Sequence, residues 1–205
     1  IRSSNIGTLM LARKIGEKKY KKFINDTNLL IKSDFQLEEI GSALAFNWEK
    51  CKLETISYGH GIAVTPLQAT ATYAALTNGG NIIKPTLIKK NNNTDNKKII
   101  SPETSKTLNK ILRKVVTDKE GTASLANVYG FDVGGKTGTS QKYGNKNENL
   151  NTFISIFPAK SPKYALLVML ENPKVASDLI YNYRGIRIKG TRNEAGWNSV
   201  YTAGK

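Results

Sequence analysis

The run Val133-Gly134-Gly135-Lys136-Thr137-Gly138-Thr139-Ser140-Gln141-Lys142 packs cations, hydroxyls and glycines into one short stretch. Lysine supplies a point positive charge, threonine hydroxyls donate hydrogen bonds to an anion, and glycine leaves backbone uncovered for close approach. The stretch reads as a strand over residues 131–140 whose guest ends in a carboxylate. The segment beginning at Gly130 also spells the phosphate-loop pattern, glycine at 130 and 135 followed by Lys136 and Thr137. A phosphate loop needs a helix starting at its lysine, so that free amides face the phosphates. Here Gly138-Thr139-Ser140-Gln141-Lys142-Tyr143-Gly144 follows, with no apolar helical face. The strand reading is therefore preferred over nucleotide binding.

At the other end stands Ser3-Ser4-Asn5-Ile6-Gly7. A serine and an asparagine just ahead of an apolar run are good helix N-caps, and local chemistry alone asks no more of them. Paired with the distant lysine strand, they gain a second meaning. Ser3-Ser4-Asn5 resembles the S-x-N element, and Lys136-Thr137-Gly138 the K-T-G element, of penicillin-binding proteins and serine β-lactamases. The segment Ser57-Tyr58-Gly59-His60-Gly61-Ile62-Ala63-Val64-Thr65-Pro66-Leu67-Gln68, with Tyr73-Ala74-Ala75-Leu76 and Asn78-Gly79-Gly80, resembles what class B penicillin-binding proteins carry between those elements. The resemblance is clearest over residues 58–85 and 121–142, and it favours the transpeptidases over the β-lactamases. Thr137 fits the division-specific branch better than the elongation-specific one.

The resemblance implies an α+β fold of the penicillin-binding transpeptidase and serine β-lactamase type, of which this chain holds the last three antiparallel strands plus helices. It implies a peptidoglycan D,D-transpeptidase that joins stem peptides ending in D-Ala-D-Ala through a serine acyl-enzyme, that β-lactam antibiotics acylate, and that works with other cell-division proteins. It implies a catalytic domain on the periplasmic side of the inner membrane. Ser3 would relay a proton to the leaving amine, Asn5 would hold the substrate amide, and Lys136 would keep the site electropositive. Thr137, Gly138 and Thr139 would bind the terminal carboxylate, with the Thr139 amide as half of an oxyanion hole. Ser3 and Asn5 are expected across a groove from Lys136.

No serine in the chain has a lysine three positions later: Ser57 meets His60, Ser124 meets Asn127, Ser140 meets Tyr143. The nucleophile motif of the family is thus missing from these residues. One account is a carboxy-terminal part of the transpeptidase domain, with nucleophile, pedestal and membrane anchor lying upstream. The other is a non-catalytic homologue serving as a ligand sensor or scaffold. On the first account the 205 residues alone are not acylated by penicillin.

Composition narrows the remaining classes. The formal charge is +15. Its lysines are scattered and accompanied by asparagines, as over residues 91–98, with no basic run interleaved with stacking aromatics, so nucleic acid is not an expected partner. Cys51 is the single cysteine and His60 the single histidine, which leaves no internal disulfide and no ordinary nitrogen and sulfur metal site; no cofactor is expected. His60 between two glycines is a turn residue before it is a triad base. The apolar stretch Ala165-Leu166-Leu167-Val168-Met169-Leu170 is far shorter than the ~20 residues of a membrane span.

Periodicity predicts helices over 6–14 and 17–24, broken at Gly16, and a short helix over 38–46 inside an otherwise irregular 26–57. Thr65-Pro66-Leu67-Gln68 is a capping box with proline at the first helical position, predicting a helix to Thr77. A strand over 82–88 limited by Pro85, a polar loop over 89–98, and an amphipathic helix from Ser101-Pro102 with Leu108, Ile111, Leu112, Val115 and Val116 on one face follow. A short helix over 122–127, a hairpin of 152–157 with 164–171, a solvated basic loop over 181–192, and a last helix from Trp197 complete the reading.

Overall fold

The computed structural model describes residues 1–37, 48, 52–89, 94–142 and 145–205. They form two compact units, residues 3–101 and residues 102–205 joined by 1–2. The helix expected over 38–46 lies outside the described residues.

In the first unit, α1 (Asn5–Ile15) and α2 (Glu17–Asp26) are separated at Gly16, whose φ of 86° lies in the left-handed region that glycine tolerates. Helix α3 (Lys52–Ser57) falls where irregular chain was expected. Helix α4 (Pro66–Thr77) begins with the full capping box, Thr65 Oγ1 accepting from Gln68 N and Gln68 Oε1 accepting from Thr65 N. Strand β1 (Asn81–Ile83) stops before Pro85, shorter than expected, because proline has no amide to continue the ladder. The polar segment read as a loop contains strand β2 (Thr94–Lys98), antiparallel to β1 with Asn81 opposite Lys98. Pairing with β1, rather than apolar alternation, makes it a strand.

The second unit opens with α5 (Pro102–Thr117), followed by a single 3-10 turn (Ser124–Ala126) where a short helix was expected. Three strands, β3 (Gly134–Lys142), β4 (Asn145–Phe157) and β5 (Tyr164–Glu171), form one antiparallel sheet in that order. Register is continuous from Gly134 opposite Ile156 to Gln141 opposite Asn149. The buried face of α5 comprises Ser105, Asn109, Leu112, Val115 and Val116, while Ile111, placed on that face by periodicity, is 46% exposed. Val115 and Val116 join Ala123, Ala126, Val133, Phe153 and Val200 in the core, so α5, the 3-10 turn, the residue leading into β3, β4 and the last helix α6 (Asn198–Gly204) share one apolar centre.

Residues 181–192 are not a solvated loop. Strands β6 (Ala176–Tyr183) and β7 (Ile186–Gly190) form a separate antiparallel hairpin. Tyr181 is buried and donates its hydroxyl hydrogen to Glu194 Oε1 at 2.8 Å. Arg184 and Gly185 at the turn both have positive φ, 52° and 88°.

Candidate active site

Entry into β3 is fixed by Arg113 on α5. Its guanidinium pairs with Asp132 Oδ1 at 2.9 Å, and donates to Val133 O at 2.7 Å and to Asn127 Oδ1 at 3.0 Å. Asp132 also accepts from Ala159 N and Lys160 N across the β4–β5 turn. The strand is thus clamped at its start before the site residues begin.

Lys136, Thr137, Gly138 and Thr139 all lie in β3, opposite Ile154, Phe153, Thr152 and Asn151 of β4. Among the described residues β3 pairs with β4 alone, so it forms an edge of the three-stranded sheet. No helix starts at Lys136, and the phosphate-loop reading falls with it. Lys136 is half-buried and its Nζ donates to Thr137 O at 2.7 Å. Burial lowers its pKa from 10.5 to about 8, and the positive charge of Arg184 acts in the same direction.

The two threonines are each held by a polar group from outside the strand. Thr137 Oγ1 lies 3.0 Å from Thr122 Oγ1, and Thr122 is fully buried. Thr139 is exposed, and its Oγ1 accepts from Ala195 N at 3.0 Å. Having accepted, the Thr139 hydroxyl retains its own hydrogen for an anion. Ala195 lies in a segment tied to β4 through Asn193, whose Oδ1 accepts from Asn151 Nδ2 at 2.7 Å and whose backbone oxygen accepts from Asn149 Nδ2 at 2.9 Å.

Two glycines of the motif have a different first duty from the one read in the sequence. A Cβ on Gly135 would lie 2.5 Å from Phe153 Cζ and 2.6 Å from Ile154 O. One on Gly138 would lie 2.5 Å from Thr152 Oγ1, the hydroxyl that donates to Gly138 O. Neighbours within the sheet take up the space a side chain would need.

Ser3 and Asn5 belong to the first unit. Ser4, rather than either of them, caps α1, its Oγ accepting from Gly7 N at 3.1 Å. Ser3 precedes the cap with φ of 56°, and Asn5 is the first helical residue. A cleft in that unit is lined by Thr27, Ile31, Gln68, Thr72 and Ile82, none of which belongs to the expected site. No group of three or more His, Cys, Asp or Glu that could hold a metal ion occurs among the described residues.

Thr122, Ala195, Arg113 and Asp132 were not singled out by sequence. Thr122 and Ala195 meet β3, and Arg113 and Asp132 its entry, through contacts that no periodicity marks.

A helix-backed antiparallel sheet with a lysine-threonine-glycine edge strand defines an α+β domain of the penicillin-binding transpeptidase fold. The chain belongs to the penicillin binding protein transpeptidase domain family, whose model matches residues 1–189. It is 34% identical to stage V sporulation protein D of Bacillus subtilis, over 84% of this chain and 29% of that protein. It is 32% identical to the probable peptidoglycan D,D-transpeptidase FtsI of Caulobacter vibrioides, over 84% of this chain and 32% of that one. Penicillin binding protein 3 of the tubercle mycobacterium, solved in complex with aztreonam, superposes with a TM-score of 0.77 at 28% identity, covering 83% of this chain and 44% of that chain. The chain therefore spans about a third of the length of these curated relatives.

Proposed function

We propose that this chain is the carboxy-terminal part of the catalytic domain of a peptidoglycan D,D-transpeptidase. The full protein transfers the acyl group of a D-Ala-D-Ala stem peptide to a serine supplied upstream of Ile1, and then to an amine of a neighbouring strand. β-Lactams acylate the same serine. The observation that carries the reading is the β3 edge itself: a half-buried cation at Lys136, with an exposed hydroxyl at Thr139 that accepts Ala195 N–H and keeps a hydrogen for a carboxylate.

In this reading Lys136 attracts the terminal carboxylate and Thr137 and Thr139 donate to it. The Thr139 backbone amide takes one side of the developing oxyanion. The same reading gives Ser3 the relay of a proton to the leaving amine and Asn5 the holding of the substrate amide. Support for a division role comes from the likeness to the FtsI relative and from Thr137; in this reading the domain works on the periplasmic side of the inner membrane, in septal cell-wall synthesis.

The test is incubation of the full-length protein with a fluorescent penicillin, followed by denaturing electrophoresis. A covalent band that unlabelled penicillin abolishes is expected. Absence of the band in folded full-length protein overturns the enzymatic reading and leaves a ligand-binding homologue.

A further inference from the structure

Thr122 is buried completely, and among the described residues its hydroxyl has a single hydrogen-bond partner, Thr137 Oγ1 at 3.0 Å. Either oxygen could be the donor on distance alone. Burial decides. If Thr137 donated, the hydrogen of the fully buried Thr122 hydroxyl would have no acceptor among the described residues, which is costly for a buried hydroxyl. If Thr122 donates, its one hydrogen is used, and the half-exposed Thr137 keeps its own.

We infer that Thr122 is a positioning residue for the site: its buried hydroxyl donates to Thr137 Oγ1 and so obliges Thr137 to offer its hydrogen to the carboxylate of the ligand. The inference rests on the proposed carboxylate-binding role of β3 and names what sets the polarity of one of its two hydroxyls. Thr139 is set the same way by a backbone amide, Ala195 N–H, which no side-chain substitution removes. Thr137 depends on a side chain. It is the hydroxyl of the pair that a single replacement can release.

Thr122→Val keeps the shape and removes the donor. A Thr137 hydroxyl with no donor behind it is free to rotate, and its contribution to binding falls. The carboxylate is bound in ground state and transition state alike, so the loss belongs in affinity and not in the chemical step. With full-length protein, a penicillin and stopped-flow acylation, Thr122→Val is expected to weaken the initial complex about tenfold and to leave the limiting acylation rate within about twofold. Thr122→Ser, which restores the donor, is expected to return affinity to within about threefold of the parent. In Thr137→Ala, a further Thr122→Val is expected to add nothing to the loss of affinity. Unchanged affinity in folded Thr122→Val overturns the inference, as does an undiminished effect in the Thr137→Ala background. If Thr122→Val does not fold, Thr122→Ala, which also removes the donor, takes its place, and parental affinity in that variant overturns the inference equally. A parent that is not acylated at all refutes the proposed function, and the inference with it; a parent that is acylated while Thr122→Val binds normally refutes the inference alone.

Discussion

Both β3–β4 and β6–β7 are antiparallel pairs, but they are held in place by different means. The first has a continuous register from Gly134 to Gln141, and its own Phe153, on β4 and with no exposed surface, lies in the core shared by α5 and α6. The second has a register shift between Ala176 and Ile180, exposes Ile180 and Ile186, and is fastened at points: Tyr181 to Glu194, Asn182 O to Ser124 Oγ, Arg184 N to Gly121 O. The site strand is thus held by packing and a continuous ladder, and the hairpin by individual hydrogen bonds. Substitutions should be felt in β3–β4 as losses of core and in β6–β7 as losses of single contacts.

The largest effect is expected from Phe153→Ala. Emptying a fully buried aromatic site should destabilise the carboxy-terminal unit by about 3–5 kcal/mol in urea titration followed by circular dichroism. A loss below about 1 kcal/mol would remove the contrast between the two pairs.

Arg113→Ala, next in size, removes the clamp at the start of β3. Because Arg113 and Asp132 are partly exposed, with side-chain exposures of 27% and 41%, screening holds the expected loss to about 1–2 kcal/mol. The same experiment with Tyr181→Phe, which deletes one hydrogen bond from the hairpin, should cost about 1 kcal/mol. Equal losses from Tyr181→Phe and Phe153→Ala would mean that the hairpin is part of the core after all.

Smallest, and most informative about how the pairs communicate, is the titration of Lys136. Followed by NMR of lysine side chains and assigned by its disappearance in Lys136→Ala, its midpoint is expected at about pH 8. Arg184→Gln should move that midpoint upward, because it removes a neighbouring positive charge from the hairpin turn. The sign for stability follows. With its folded pKa below its unfolded one, Lys136 leaves the unfolded chain holding more protons between about pH 8 and 10.5, so its contribution favours the folded state increasingly as pH rises through that window. An unmoved midpoint in Arg184→Gln would show that the hairpin does not reach the site even by charge.

Much of this was legible in the sequence where local chemistry dictates local structure. The Thr65 and Gln68 capping box, the break at Gly16, the K-T-G strand and the β4–β5 hairpin all follow from residues a few positions apart. Strand β4 begins well before residue 152, because Asn149 and Asn151 interrupt the apolar alternation yet are accommodated by Asn193. Ile111 was misplaced because Ser105 and Asn109 occupy the buried stripe of α5 that apolar spacing had assigned elsewhere. Strand β2 and the β6–β7 hairpin form by pairing among polar or basic residues, which leaves no hydrophobic period to read. In the site, Lys136, Thr137 and Thr139 were legible as chemistry, whereas Thr122 and Ala195 became visible only when the chain was folded.

The most direct test of the β3 assignment compares two lysines of the same strand. In full-length protein, Lys136→Ala should lower the second-order rate constant for acylation by a fluorescent penicillin about tenfold to a hundredfold, the effect of losing one charged interaction in a desolvated site. Lys142→Ala, at the far end of β3, should leave the rate within about twofold of the parent. Equal losses from the two substitutions would contradict the account, because charge anywhere along the strand would then serve as well as charge at the K-T-G position.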